Sequence, residues 1–491
     1  MSAEARSSVR NAGLLVVQWG AQVGAGVAFA AVVPRMMGPE VYGRYSLITS
    51  VSLWFVLAAS LGLLPVMGRY VPELRADPGR LRAFFGRLLG LRLATGAAAA
   101  ALYFGAAVRW FPDLDAGAVA LAAASVLAQS VATLYFSLFL GLNRAALWGL
   151  EAPLKSWGVV AVLPAAYLAG GLRGACGALA AVDWLLLAAG ILLARPYLGL
   201  ARPRWDLRPA LPYVRFGAAF LVSQLVVASF RRSGDVMVLA VSGSYAEVGY
   251  FGLAMNVYLV GALAMGQLAL SFAPVLTGLR EQGRPQAAAR WVERLLVLLA
   301  AVGVAAVFGA LALGEILVPL VFGQAYRPVA AHLLVMAFAL VALAPVAVGR
   351  VMAVVLERPR TALAAAVVQV AGFWAVGPLL VTWRGSLGGC AGVLVATVLG
   401  GAHYFWRLKR PVGCSLRAPA LAAALGVPFL PLLALGSGWG VKAALFGACL
   451  GAYAWTLGRA GVVTGAELRA LARALKGSMG AGKTPRTEGA V

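Results

Sequence analysis

Three ionisable residues interrupt one apolar segment in the middle of the sequence. Phe216 to Phe230 is a run of fifteen mostly apolar residues, and Arg231, Arg232 and Asp235 follow before the chain becomes apolar again. Fifteen helical residues extend only about 22 Å, less than the roughly 30 Å of a hydrocarbon core. A spanning helix therefore carries at least part of this charged group into the outer half of the bilayer. A charge there costs from about 3 to more than 10 kcal/mol, which favours a functional reason for it.

The spacing of these charges predicts one ion pair and one anion site. Residues four apart share a helix face, so Asp235 can pair with Arg231, or with Arg232 beside it. One arginine is then left over and could bind an anionic group of a substrate. The alternative is an arginine that snorkels to the interface beside a local ion pair.

Other polar residues inside apolar segments are few. Arg92 lies within or at the edge of one segment, and Asp183 lies inside another, where it needs a basic partner or a proton. His332 and His403 lack ligand spacing and are interpreted as packing or interfacial residues. Buried amides either bind sugar hydroxyls or bridge neighbouring helices. The amides in question are Gln18, Gln22, Gln224, Asn256 and Gln267.

The composition predicts the elements that hold these residues. Of 491 residues, 62% are hydrophobic and 12% charged, and the mean hydropathy is +0.88. A soluble protein could not bury that much apolar surface, so the predicted fold class is an all-α polytopic membrane protein. The net charge of +24 then reflects basic loops on one side of a membrane rather than nucleic-acid binding. The four cysteines show neither metal spacing nor a disulfide framework, and no metal or cofactor is expected.

Apolar blocks separated by short polar breaks predict fourteen spans. Most Lys and Arg lie in alternate breaks, which predicts that both termini are cytoplasmic. The predicted spans are 11–33, 45–67, 88–108, 117–140, 156–171, 174–194, 215–241, 248–274, 294–320, 329–355, 361–382, 387–406, 418–436 and 440–460. The predicted domains are an N-terminus 1–10, an N-lobe 11–194, a linker 195–214, a C-lobe 215–406, a loop 407–417, accessory spans 418–460 and a tail 461–491 with an amphipathic helix at 464–477.

An internal repeat relates the two predicted lobes. Residues 141–179 realign with 356–393 at a constant shift of 214, and 38–47 resemble 244–253 at a slightly different shift. The repeat predicts two copies of one six-helix unit in the same orientation, and transporters of this kind bind substrate between the copies. The matched pairs are Arg144 and Arg358, Gly158 and Gly372, Gly171 and Gly385, Gly174 and Gly388, Cys176 and Cys390, and Gly43 and Gly249.

The sequence favours moving a substrate over transforming one. It contains no phosphate-binding loop, no zinc-protease motif and no nucleophile elbow. A membrane-embedded glycosyl polymerase or ligase would need a large outer loop with catalytic groups, which the sequence lacks. A scaffold without transport activity would not need charged residues inside its spans.

Several motifs resemble one family. PRMMGPEVYGRYSL at 34–47 is similar to the start of Wzx-type polysaccharide-biosynthesis flippases, within the multidrug/oligosaccharidyl-lipid/polysaccharide exporter superfamily. Residues 235–283 resemble that family's seventh and eighth helices, and 322–338 with 356–362 resemble its tenth-helix region. The doublet Arg231–Arg232 has no counterpart in the family pattern. The matched positions are Gly38, Pro39, Gly43, Asp235, Gly249, Tyr250 and Pro274.

This resemblance implies two six-helix lobes arranged as a V around a cationic cavity, plus two accessory helices. It implies alternating access that moves an undecaprenyl-diphosphate-linked oligosaccharide across the bacterial inner membrane, for O-antigen, capsule or exopolysaccharide. A polysaccharide polymerase or export complex is an implied partner, and a coupling ion, H⁺ or Na⁺, is left open. Two alternatives are a lipid II flippase and a cation-coupled multidrug exporter. An exporter would be expected to keep acidic residues in its cavity, whereas the intramembrane excess here is basic.

Overall fold

The computed structural model describes residues 3–206, 208–434 and 438–461, and the predicted helix at 464–477 lies outside them. The regular secondary structure of these ranges is helical throughout. The α-helices are α1 Ala3–Ala59, α2 Leu63–Leu74, α3 Pro78–Trp110, α4 Ala116–Gly141, α5 Ala145–Trp148, α6 Glu151–Leu198, α7 Leu211–Arg232, α8 Gly234–Ser242, α9 Tyr245–Ser271, α10 Ala273–Glu281, α11 Pro285–Phe322, α12 Val329–Val355, α13 Pro359–Arg384, α14 Ser386–Val412, α15 Arg417–Ala424, α16 Leu430–Ala434 and α17 Trp439–Arg459.

Glycines with positive φ turn two of the longest helices back on themselves. Gly38, with φ 72°, breaks α1, and the rings of Phe29 and Tyr45 meet across the break with centroids 6.3 Å apart. Gly171, with φ 57°, breaks α6 in the same way. Because only glycine adopts this conformation without a steric penalty, each position fixes a tight helical hairpin.

The helices make fourteen membrane crossings. Eleven helices are long and apolar enough to span, or twelve when the bent pair Arg208–Ala218 and Phe220–Phe230 counts as one. Two of these, Gly20–Leu74 and Ala146–Leu198, are the hairpins and cross twice. This count over the described residues confirms the prediction. We call the end of the bundle that carries the hairpin glycines, Gly38 among them, the glycine end, and the opposite end the linker end.

The backbone geometry reproduces the repeat predicted from the sequence. Asn143 and Glu357, 214 residues apart, are both non-glycine residues with φ 56°. Gly171 and Gly385, at the same shift, have φ 57° and 59°. The shift also relates two backbone hydrogen bonds, from Arg144 N–H to Phe139 O at 2.8 Å and from Arg358 N–H to Ala353 O at 2.7 Å.

The two lobes meet at the glycine end through α1 and α9. A Cβ atom on Gly43 would lie 1.8 Å from the carbonyl oxygen of Tyr245, and one on Gly249 would lie 2.1 Å from that of Pro39. The two contacts exchange under the repeat, so the crossing has local two-fold symmetry. Glycine at both positions is what allows the backbones to approach this closely.

Several helices extend beyond the predicted spans. α6 begins at Glu151 rather than 156, and α3 covers Pro78–Trp110 rather than 88–108, with Asp77 capping its first turn. The predicted span 215–241 is divided between α7 and α8 at Ser233. Hydropathy marks only the hydrocarbon core, whereas a helix continues to its cap, so the sequence placed the start of α6 too late.

The accessory helices pack on α11. The ring of Phe308 contacts those of Phe429 and Tyr453 at centroid distances of 6.0 and 5.6 Å. Lys442 pairs with Glu315 at 3.1 Å near the glycine end. The accessory spans are therefore fastened to the C-lobe and lie away from the crossing of α1 and α9.

Candidate functional site

Two adjoining cavities lie between the lobes. The polar cavity, about 450 Å³, is lined mainly by the N-lobe. Its hydroxyl, amide and carboxylate groups belong to Tyr42, Tyr45, Ser46, Thr49, Ser52, Ser125, Gln129 and Glu151. The apolar cavity, about 560 Å³, lies between α1, α6, α9 and the end of α11. Its aliphatic walls include Val23, Val27, Val159, Val257, Leu259, Val260, Leu263 and Val321.

The two cavities share a basic junction. Both are lined by Lys155 and Arg232, one from each lobe. Within the described part of the chain, no carboxylate lies within ion-pair distance of Arg232. An anion at the junction would therefore meet one guanidinium whose donors are available and one ammonium. The other residues common to both walls are Gln22, Phe29, Ser156 and Asn256.

Lys155 is held from behind by an acid. Its ammonium lies 2.8 Å from the carboxylate of Asp183, which is 1% exposed and also accepts a hydrogen bond from Ser125. The sequence required a basic partner or a proton for Asp183, and the structure supplies Lys155. The pair joins the two arms of the α6 hairpin and fixes the ammonium at the cavity wall.

Asp235 lies behind Ser46, a residue in the wall of the polar cavity, and its described hydrogen-bond partners are serines. Its Oδ2 accepts hydrogen bonds from the hydroxyls of Ser46 and Ser50, each at 2.7 Å. No ion pair with Arg232 occurs among the described contacts, and the side chain of Arg231 lies outside what the structure describes. The predicted ion pair with Arg232 is thus not formed, although Arg232 is close enough for a favourable electrostatic interaction with the carboxylate, and the alternative pair with Arg231 stays a prediction. Asp235 instead joins α8 to α1.

Arg92 and Glu151 form a second charged group in the N-lobe. Glu151 lines the polar cavity and accepts a hydrogen bond of 2.8 Å from Thr133. Arg92 is 3% exposed, and its Nε and Nη1 have no hydrogen-bond partner among the described residues. Arg92 is therefore inside the bundle rather than at its edge, close enough to Glu151 for a favourable electrostatic interaction.

The five predicted amides divide into three groups. Gln22 and Asn256 line both cavities, and Asn256 donates a hydrogen bond of 2.9 Å to the hydroxyl of Tyr42. Gln18 instead bridges helices by donating to the carbonyl of Ala146 at 2.7 Å. The remaining two, Gln224 and Gln267, line neither cavity.

The other family-motif residues lie near the glycine end, apart from Pro274. The ring of Tyr250 stacks edge-on with that of Tyr326 at 6.2 Å and lies near His332. His332 joins α12 to α14 through a 2.7 Å hydrogen bond with Ser386, as expected of a packing residue. Pro274 occupies the first turn of α10.

Sequence reasoning missed Lys155 and Glu151. Both lie in the first turns of α6, in a stretch that the sequence placed in a polar break and its edge. Their spacing of four residues, on a segment shared by both copies of the repeat, was the available signal. That spacing places the two side chains on one helix face, but it does not show that this face borders a cavity.

Comparison with known proteins supports the predicted resemblance. Residues 155–331 match the model of a family described as "Polysaccharide biosynthesis protein". No curated protein matches the sequence. The fold is shared with a solved structure described as the lipid II flippase MurJ in an inward closed conformation, with a TM-score of 0.70 and 11% identity over 92% of this chain and 99% of that one.

A second solved structure, an inward-facing multidrug resistance MATE family transporter of the MOP superfamily, has a TM-score of 0.61. It is 14% identical over 84% of this chain and 95% of that one. The matches confirm the resemblance to polysaccharide biosynthesis proteins and the predicted fold, two six-helix lobes with two accessory helices.

Proposed function

We propose that this chain moves an oligosaccharide, linked to a polyprenyl lipid through a diphosphate, across the bacterial cytoplasmic membrane. The observation that carries the proposal is the basic junction between the polar and apolar cavities. A lipid-linked oligosaccharide has an apolar chain, an anionic junction and a hydroxylated head in that order. The cavities offer matching surroundings in the same order.

Each part of such a substrate has a physical counterpart in the site. Arg232 and Lys155 can give charge-assisted hydrogen bonds to phosphate oxygens, and a guanidinium can do so in a bidentate manner. Hydroxyl and amide groups of the polar cavity suit sugar hydroxyls, and the aliphatic walls suit the lipid chain. The polysaccharide-biosynthesis match over residues 155–331 supports the sugar chemistry.

Transport by alternating access requires one end of the bundle to open while the other closes. The close contacts of Gly43 with α9 and of Gly249 with α1 support a closed glycine end in this structure. We infer from the basic loops that the linker end and both termini face the cytoplasm. Substrate would then enter from the linker end and leave at the glycine end, where a polysaccharide polymerase or export complex would receive it.

Two alternative functions are compatible with the same fold. A lipid II flippase would use the same order of chain, diphosphate and sugar, and the fold match to MurJ is compatible with it. A cation exporter is favoured by one observation, the carboxylate of Glu151 in the wall of the polar cavity. The availability of Arg232 to an anion favours the lipid-linked sugar over a cation.

The test uses proteoliposomes that contain undecaprenyl-diphosphate oligosaccharide, lipid II or a cationic dye. We expect protein-dependent movement of the lipid-linked oligosaccharide, and a roughly 10- to 100-fold loss in Arg232→Met, since a hydrogen bond to a charged group contributes about 1.5–3 kcal/mol. Lys155→Met combined with Asp183→Asn removes the second cation without leaving a buried charge unpaired. Arg109→Met, outside both cavities on the same protein, is the matched control. Movement of the dye alone would overturn the proposal.

A further inference from the structure

A third cavity lies inside the C-lobe. This side cavity, about 340 Å³, is lined by residues of α9, α11 and α12. Its α11 wall consists of small residues at Ala306, Gly309, Ala310 and Gly314. These positions are three, four and eight residues from the first, so they share one face of the helix.

The side cavity exists because residues are small, not because helices splay. On one side of it, a Cβ atom on Gly303 would lie 2.7 Å from the Cα of Val341, so α11 and α12 touch there. On the other side, a Cβ on Gly314 would lie 3.7 Å from the Cβ of Ala330, an ordinary contact. The helices are packed at both ends of the cavity. Larger side chains between these contacts would occupy existing space without separating the helices.

The chemistry of the walls restricts what can fill this space. The lining is almost entirely apolar, and its one hydroxyl belongs to Tyr258. An apolar cavity of about 150 Å³ stays dry and accepts apolar molecules. An apolar chain therefore fits the side cavity, and neither a sugar nor a phosphate does.

The side cavity adjoins the apolar cavity. Val257, Val321 and Phe322 line both. These three apolar side chains form the boundary between the side cavity and the apolar cavity, which reaches the basic junction at Lys155 and Arg232. This continuity with the site of the proposed function distinguishes the side cavity from an isolated packing defect.

We propose that the side cavity binds the distal part of the substrate's polyprenyl chain and gives the protein a preference for long chains. The inference rests on the proposed function. A chain whose diphosphate lies at the junction fills the apolar cavity first, and only a long chain reaches beyond Val257 and Phe322. Apolar area buried in the side cavity then stabilises the complex with a long-chain substrate and leaves a short-chain one unaffected.

The test fills the side cavity from opposite walls with Ala310→Leu and Ala337→Leu. Ala305→Leu, the same change on α11 at a position that does not line the cavity, is the matched control. Transport is compared for one oligosaccharide diphosphate on a C55 and on a C15 polyprenyl chain. We expect the wild-type protein and the control to prefer C55 by about tenfold or more in apparent affinity, and both filled variants to lose that preference while C15 transport is unchanged. An unaltered C55 preference in the filled variants would overturn the inference.

A binding readout separates this inference from the proposed function. A C55 polyprenyl diphosphate with a diazirine at its distal end is expected to label the α11 and α12 walls of the wild-type protein, and to lose that labelling in Ala310→Leu. If wild-type protein moves neither substrate, the proposed function fails, whereas the labelling still decides the inference. Equal labelling of these walls by a phosphatidylglycerol with a diazirine in its acyl chain would assign the cavity to bulk membrane lipid and overturn it.

Discussion

Lys155 and Asp183 lie 2.8 Å apart across the hairpin of α6, on consecutive membrane crossings. The carboxylate is almost fully buried, while the lysine side chain is 25% exposed toward the cavities. The pair therefore has one partner in the N-lobe core and one at the cavity wall. This geometry anchors Lys155, the N-lobe member of the basic junction, to the N-lobe core.

Removing the lysine alone is predicted to destabilise the protein. Lys155→Met leaves the carboxylate of Asp183 buried without a cation, and breaking a buried pair in this way costs about 3–5 kcal/mol. Because Lys155 is partly exposed, we expect a value at or below the lower end of that range. Thermal unfolding in detergent measures the change. The double variant with Asp183→Asn is expected to recover most of the loss, and an equally unstable double variant would contradict this explanation.

The crossing of α1 and α9 is predicted to control access from the glycine end. Gly43→Ala and Gly249→Ala each place a Cβ atom where a backbone carbonyl now lies, so each forces the two helices apart. We expect greater labelling of Asn256→Cys, in the cavity wall, by a membrane-impermeant thiol reagent added on the glycine-end side.

The matched controls for this prediction are glycines on the same helices with free space around them. Gly20 on α1 and Gly266 on α9 have nothing within 4 Å of a Cβ atom, so alanine there is expected to leave labelling unchanged. Equal labelling in all four variants would show that the crossing does not close this end.

The ion pair between Asp115 and Arg173 predicts a loss of stability in acid. Arg173 donates hydrogen bonds of 2.5 and 2.8 Å to the Asp115 carboxylate and holds its pKa below the ordinary range. The pKa of Asp115 is lower in the folded state than in the unfolded state. The stability that the ion pair contributes is therefore fully present above the unfolded-state pKa of about 3.9, and it is lost as pH falls through the folded-state pKa. Unfolding temperatures measured from neutral pH to about pH 3 test this.

Asp115→Asn is the appropriate comparison for the acid effect. Asparagine can still accept the hydrogen bond from the amide of Gly117, so the N-cap of α4 is preserved while the charge is removed. The variant is expected to be less stable than the wild type at neutral pH and to lose less stability in acid. Parallel pH profiles for the two proteins would contradict the assignment.

Glycine at position 357 is predicted to stabilise the fold. Glu357 has φ 56°, and the left-handed conformation costs a residue with a Cβ roughly 1–2 kcal/mol. Its exposed ion pair with Arg280, at 3.6 Å, contributes little. We expect Glu357→Gly to raise the unfolding temperature and Glu357→Ala not to. Asn143→Gly, at the equivalent position of the repeat, is expected to raise the unfolding temperature less, because asparagine tolerates the left-handed conformation.

Features that depend on the local sequence were predicted correctly. Apolar blocks long enough to span gave the fourteen crossings, and the shift of 214 appears again as paired turns at Asn143 and Glu357. Gly38 and Gly171 mark the hairpins because their backbone conformation depends on the residue type itself. These features need no knowledge of which helices are neighbours.

The partners of the buried charges could not be predicted in the same way. Asp235 bonds to serines 185 and 189 residues earlier, and Asp183 bonds to a lysine that the sequence assigned to a loop. Helical spacing made Arg232 a candidate partner for Asp235, but two serine hydroxyls of α1 lie within hydrogen-bond distance of the carboxylate and take that place. A buried carboxylate takes whichever donors the packed helices bring to it.

The sequence by itself determined fourteen membrane spans, twelve of them in two copies of one six-helix unit and two accessory, because burial in lipid imposes length and composition on every span. Only the tertiary structure decided that Lys155 and Arg232 meet at the boundary between a polar and an apolar cavity. Each lobe contributes one of these cations. Their proximity arises from helix packing between residues far apart in the chain, which no local pattern encodes.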